Sequence, residues 1–172
     1  MTTNDAQEVI TLLQDRLNAL NDLALTLKHI HWNVVGPHFI AVHTMLDPQV
    51  DAVRLMADDT AERIATLGGS PVGTPGALVQ TRTWDDYDLG RDDAIAHMGA
   101  LDKVYDGVIE GHRKAIETTE EPDPVTQDLL IDQSGQLEQF QWFVRAHVET
   151  TSGALVTTRA ATEKKAASRA RR

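Results

Sequence analysis

The chain has 172 residues and no cysteine, enough for one well-buried domain, and it excludes disulfides, thiolate metal sites and thiol-based peroxide reduction. With 24% charged and 41% hydrophobic residues it reads as an ordinary globular protein. No apolar run approaches the roughly 20 residues that cross a bilayer, so no membrane role is expected, and Met1-Thr2-Thr3-Asn4-Asp5 lacks the pattern of a secretory signal, which favours the cytoplasm. The net charge of −10 is unevenly placed: Arg159, Lys164, Lys165, Arg169, Arg171 and Arg172 against Glu163 give the end of the chain +5, leaving 10 basic and 25 acidic residues, or −15, elsewhere.

In chain order, Ile10, Leu13, Leu17, Leu20, Ala24, Leu27 and His31 recur at helical spacing and predict a long amphipathic helix from about Asp5 to Asn33. Gly36-Pro37 ends it, since glycine tolerates the left-handed conformation at a helix end and proline cannot continue a helix. A second helix is expected from about Phe39 to Leu67, with Pro48 bending its first turns. Residues 68–83, with Pro71, Gly73, Pro75 and Gly76, read as a long loop. Thr83-Trp84-Asp85-Asp86 resembles a helix cap, which places a short extra helix around Trp84 to Leu89. A third long helix is expected from about Asp92 to Thr118, and Asp123-Pro124 opens a fourth carrying Leu130, Leu137, Phe140, Val144 and His147 on one face.

The connections are thus short, long and short. A long second crossover lets the second and third long helices run parallel, so the fold class read from the sequence is all-α: a ferritin-like four-helix bundle over 1–158, with a short extra helix in the crossover. Residues 159–172, rich in alanine and basic side chains, are expected to form a flexible C-terminal tail.

The chemistry lies around the turn between the first two helices. His43 with Asp47, and Asp58 with Glu62, are pairs four apart and therefore share a helix face. Asp47 and Asp58 are eleven residues apart, close to a whole number of turns, so both pairs lie along one stripe, yet roughly 16 Å separates them at 1.5 Å per residue. One metal ion cannot be held by both ends of that stripe in one chain, whereas a second copy running antiparallel would offer its opposite end. His31, on the apolar stripe of the first helix, joins the set; alone it would read as a core histidine, as His112 and His147 do. Two imidazoles and three carboxylates suit ferrous iron, which accepts mixed nitrogen and oxygen ligands. No Glu-x-x-His pair marks a site inside the bundle, which again points to an interface. The plain reading of the acids is a solvated face, since Asp51 and Asp59 lie in the same helix.

The segments His31-Trp32-Asn33-Val34-Val35-Gly36-Pro37-His38-Phe39 and Asp58-Asp59-Thr60-Ala61-Glu62-Arg63-Ile64 closely resemble the Dps family, the DNA-protecting ferritin-like proteins of starved bacterial cells. The resemblance implies a hollow homododecamer that acts as a ferroxidase, oxidising Fe(II) preferentially with hydrogen peroxide and storing Fe(III) mineral inside. It implies as metal ligands and catalytic residues His31, His43 and Asp47 of one subunit with Asp58 and Glu62 of its twofold neighbour. It also implies that Trp32 absorbs oxidising equivalents near the iron, and that acids such as Asp123, Asp128 and Asp132 line pores. An alternative of another class is non-specific, nucleoid-associated DNA binding through Lys164, Lys165, Arg169, Arg171 and Arg172, where many tails on one shell would sum weak phosphate contacts.

Overall fold

The computed structural model describes residues 2–171. Helix α1, Thr3–Asn33, opens with a capping box in which Thr2 and Asp5 exchange side-chain and backbone hydrogen bonds, an arrangement worth about 1 kcal/mol. Its buried face, including Leu13, Leu20, Leu27 and Ile30, forms one wall of the core. Two residues, Val34–Val35, form strand β1; after the turn at Gly36, helix α2 runs over Phe39–Thr66, unbroken through Pro48. The crossover contains α3, Pro75–Thr81, and ends in strand β2, Asp92–Asp93. Helix α4, Ala94–Thr119, and helix α5, Pro124–Arg145, complete the bundle, and α6, Glu163–Ala170, follows.

Helix α1 packs against α2 and α4, α4 against α5, and α2 against α5, which closes the four-helix bundle around a single core. The strands β1 and β2 pair in parallel, Val34 with Asp92 and Val35 with Asp93. Because each strand leads directly into a long helix, α2 and α4 leave from the same end of the bundle and run in the same direction, as a long crossover requires. This strap was not legible in the sequence. It depends on Gly36, whose φ is +94° and whose added Cβ would lie 2.8 Å from Asp93 Oδ2; any side chain there would meet both obstacles.

Two expectations need correction. The extra helix is α3 at Pro75–Thr81 and not Trp84 to Leu89, which lies outside any helix. Pro75 sits in the first turn of α3, Leu78 is buried, and Thr81 accepts a hydrogen bond from Asn18 of α1. Downstream, tertiary contacts override the apparent cap: Trp84 Nε1 donates to Asp22, Arg82 pairs with both Asp22 and Asp86, and Tyr87 bonds His97.

The second concerns the basic end, expected as a flexible tail. Instead, α6 packs along α4. Thr162 caps it, Ala166 and Ala167 are buried, and Gly99 of α4 makes the close approach possible, since a Cβ there would lie 2.8 Å from the Ala166 carbonyl oxygen. Composition alone reads as disorder because it omits the partners: Lys164 pairs with Asp88 at 2.9 Å, and Arg171 pairs with Asp92. Upstream, buried Asp102 of α4 accepts from Gln141 and Arg145 of α5 and from Thr157, which fastens the segment leading to α6.

Candidate metal centre

His31 lies near the end of α1 and His43 one turn into α2, and the short turn between them brings the imidazoles into a stack with centroids 3.6 Å apart and planes 25° apart. Each ring is fixed by the other's backbone. His31 Nδ1 lies 2.9 Å from the His43 carbonyl oxygen, and His43 Nδ1 lies 2.9 Å from the His31 carbonyl oxygen. A carbonyl only accepts, so each Nδ1 carries its proton and each Nε2 keeps a lone pair for a metal ion. Reciprocal hydrogen bonds of this kind are how a ligating histidine is held in one tautomer and one orientation. His31 is buried, His43 is partly exposed, and Phe39 packs on the His43 ring at 4.9 Å.

Asp47, one turn after His43, places Oδ1 3.2 Å from His31 Nδ1 and 2.8 Å from Lys28 Nζ. The hydrogen bond from Lys28 holds the Asp47 carboxyl below the usual carboxylate range, so it is ionised and ready to ligate. Sequence reasoning missed Lys28. Its position three residues before His31 on the same helix was the available signal.

Asp58 and Glu62 sit farther along α2, both exposed, and among the described residues no hydrogen bond or ion pair engages either carboxylate. The structure therefore brings His31, His43 and Asp47 together and leaves Asp58 and Glu62 apart from them. Among the described residues of the single chain, no three His, Asp or Glu side chains form a group able to hold a metal ion. Large apolar side chains also lie exposed on this side: Leu55, in phase with Asp58 and Glu62 on α2, and Leu25 and Trp32, seven residues apart on α1.

The other residues singled out in the sequence have different partners. Asp123 is buried, takes two hydrogen bonds from Arg63 and one from Thr126, and so joins α2 to α5; Asp128 and Asp132 are exposed. His112 is fully buried between Val108 and Gln133, and burial, followed by the nearby Arg16 charge, pulls its pKa down to about 4. His147 follows α5 and bonds the Phe143 carbonyl. Of the basic end, Arg169 donates to the Thr158 carbonyl, Lys165 is exposed with no carboxylate partner among the described residues, and Arg172 lies outside them.

The model of the ferritin-like domain matches residues 10–154. A DNA protection during starvation protein of Mycolicibacterium smegmatis is 59% identical over 172 residues, covering 100% of this chain and 94% of that one. The chain belongs to the Dps family. Among solved structures of Dps proteins, that of Mycobacterium smegmatis Dps superposes with a TM-score of 0.93 at 59% identity, covering 95% of this chain and 94% of that one. DpsA14 from Streptomyces coelicolor gives a TM-score of 0.87 at 68% identity, covering 88% and 90%. Membership in the Dps family agrees with the all-α, ferritin-like fold described above.

Proposed function

We propose that this protein is a ferroxidase and iron-storage protein whose reaction centre is completed between two subunits. His31, His43 and Asp47 of one subunit, with Asp58 and Glu62 of its twofold neighbour, bind Fe(II). The observation that carries this reading is the reciprocal hydrogen bonding of His31 and His43, which leaves two Nε2 lone pairs free beside an ionised carboxylate. The unengaged carboxylates on the same helix, bordered by exposed Leu55, supply the complementary half. In an isologous contact each subunit lends both halves, giving two equivalent sites per pair.

Iron and hydrogen peroxide are the substrates. Each peroxide takes two electrons, one from each of two ferrous ions, and yields two ferric ions and two hydroxides without releasing hydroxyl radical. The carboxylates favour the ferric product by charge, and each imidazole offers its ring nitrogen lone pair to the ion. A homododecameric shell in the cytoplasm would hold the Fe(III) mineral, and removal of iron and peroxide together would protect DNA, in keeping with the names of the relatives. The test is an anaerobic Fe(II) titration followed by substoichiometric peroxide, recording ferric absorbance against a protein-free control. Two irons oxidised per peroxide at a rate above the control is the expected result; no rate above the control rejects the reading.

A second reading, DNA binding through the basic end, has exposed Lys165 in its favour. Against it, Lys164 and Arg171 are already paired with Asp88 and Asp92, and the body is acidic. A mobility-shift series in salt, comparing the full chain with one ending at Thr158, decides it: retardation that survives removal of the tail assigns binding elsewhere.

A further inference from the structure

On the side of α1 away from the half-site, the crossover lays Tyr87 over two histidines. The Tyr87 ring meets His29 edge-on with centroids 5.9 Å apart, and its hydroxyl lies 3.0 Å from Nδ1 of His97, a residue of α4 with no exposed surface. His29 is itself fixed through Nε2 to the Leu89 carbonyl. No other hydrogen-bond partner serves the Tyr87 hydroxyl among the described residues. If the imidazole donated, both the phenolic proton and His97 Nε2 would lack partners; with the phenol donating, only Nε2–H is left, and the Gly90 and Asn33 carbonyls flank that ring. Counting protein groups alone, the arrangement with fewer unpartnered atoms has the phenol donating to the imidazole.

The chain's second tyrosine is an internal contrast. Tyr105 is fully buried in the bundle, where Tyr87 is partly exposed, and its hydroxyl donates to Gln49 Oε1 at 2.8 Å. An amide oxygen accepts a hydrogen bond and does not take the proton. A neutral imidazole does, and oxidising a phenol by one electron makes it strongly acidic, so it proceeds readily where a base is already in contact.

We infer that Tyr87 is a one-electron donor to the peroxide reaction, with His97 Nδ1 as the acceptor of its phenolic proton. The inference rests on the proposed ferroxidase reading and deepens it: Tyr87 serves when peroxide arrives at a centre holding a single ferrous ion. That ion gives one electron, and peroxide splits into hydroxide and a hydroxyl-radical equivalent. Tyr87 gives the second electron, which makes the second hydroxide, while its proton passes to His97, leaving a neutral tyrosyl radical and an imidazolium. The next ferrous ion returns an electron to Tyr87 as His97 returns the proton. The sum is two ferrous ions and one peroxide giving two ferric ions and two hydroxides, with Tyr87 and His97 unchanged.

Charge and placement agree with these roles. Burial, with Glu163 and Asp92 nearby, raises the Tyr87 phenol well above its ordinary range, so it holds its proton until oxidised. Burial lowers the His97 pKa, an effect that Asp92 opposes and His29 adds to, so the imidazole is neutral and free to accept. His29 and His31 are two residues apart on α1, so Tyr87 and the half-site are separated by the width of one helix, on the order of 10 Å.

The test is freeze-quench electron paramagnetic resonance of the full-length protein, carrying ring-deuterated tyrosine in a parallel sample, after peroxide is added to substoichiometric Fe(II). Ferric absorbance is recorded on the same samples. The expected result is a tyrosyl signal that narrows on deuteration, survives in Tyr105→Phe and falls at least tenfold in Tyr87→Phe. In His97→Gln, which offers an amide where the base was, the yield falls several-fold although Tyr87 is present. Circular dichroism on each variant checks the fold, and Tyr87→Phe keeps the ring that packs on His29. An undiminished signal in Tyr87→Phe, or normal ferric absorbance with no tyrosyl signal in the parent, overturns the inference. Absence of ferric absorbance instead rejects the ferroxidase reading, and the donor is then tested without iron, by oxidation with azide radical from pulse radiolysis. There, equal tyrosyl yields from Tyr87→Phe and Tyr105→Phe overturn it, and a selective loss in Tyr87→Phe supports it.

Discussion

The two halves of the proposed centre, one at each end of α2, are built in opposite ways. At the N-terminal end, His31, His43 and Asp47 are fixed within the subunit: the rings hold each other through backbone carbonyls and Lys28 holds the carboxylate. At the C-terminal end, Asp58 and Glu62 stand on an exposed face with no partner engaged. Ligands whose orientation depends on tautomer and ring angle are preorganised before assembly, and carboxylates, which can rotate to meet an ion, are left to be positioned by it. On the proposed reading, the difference also keeps an isolated chain from assembling the whole set, which would confine peroxide chemistry to the assembled protein.

The sharpest way to break this comparison is to separate the halves genetically. Asp58→Ala with Glu62→Ala should lower the peroxide-driven oxidation rate about 100-fold or more, while size-exclusion chromatography shows the assembly intact. Subunits carrying His31→Ala and His43→Ala should be equally inactive alone. Co-assembled, the two should regain a substantial share of the rate, because a mixed pair keeps one complete centre; no recovery would place both halves in one chain.

A histidine outside both ends separates loss of ligation from loss of fold. His112 has its pKa drawn down to about 4 from 6.5, so the unfolded chain binds the extra proton first. Stability from this group is complete above about pH 6.5, falls as pH drops toward 4, and levels off below, a loss of about 3 kcal/mol. His112→Gln should flatten chemical-denaturation stability between pH 7 and 4.5 and leave the iron-oxidation rate at pH 7 unchanged.

Smaller effects sharpen the contrast further. Gly99→Val would push α6 off α4 at a cost of about 1–3 kcal/mol, opening the C-terminal segment to limited proteolysis. Lys28→Met should weaken anaerobic Fe(II) binding a few-fold, because Asp47 loses the partner that orients it and favours its ionised form. Tighter binding would mean that Lys28 obstructs Asp47 more than it orients it.

Much of this was written in the sequence because it is local. Apolar periodicity and caps placed the first three long helices to within a residue or two of their observed ends and the start of the fourth, whose observed end at Arg145 leaves out His147, and Gly36-Pro37 marked the turn that joins His31 to His43. The spacing of His43, Asp47, Asp58 and Glu62 along one helix showed that a single chain could not unite them. What was missed depends on contacts distant in the chain. Trp84 and Arg82 are drawn to Asp22, some sixty residues earlier, and this defeats a plausible cap at Thr83. The docking of α6 depends on a glycine in another helix and on acids in the crossover, neither visible in the tail's own composition. Tyr87 and His97 are ten residues apart, but they meet only because the intervening chain folds back along α1.

The parallel strap of two residues per strand is more than a fastening for the crossover. Arg171, near the end of the described chain, grips Asp92; Asp92 is in register with Val34; and Val34 follows His31 by three residues. A pull on the C-terminal segment is thus carried across two strands to the turn that stacks the imidazoles. An anionic partner that drew Arg171 away from Asp92 would loosen the bracket holding His31 against His43, so the C-terminal segment and the candidate half-site are mechanically joined although they lie far apart in the sequence.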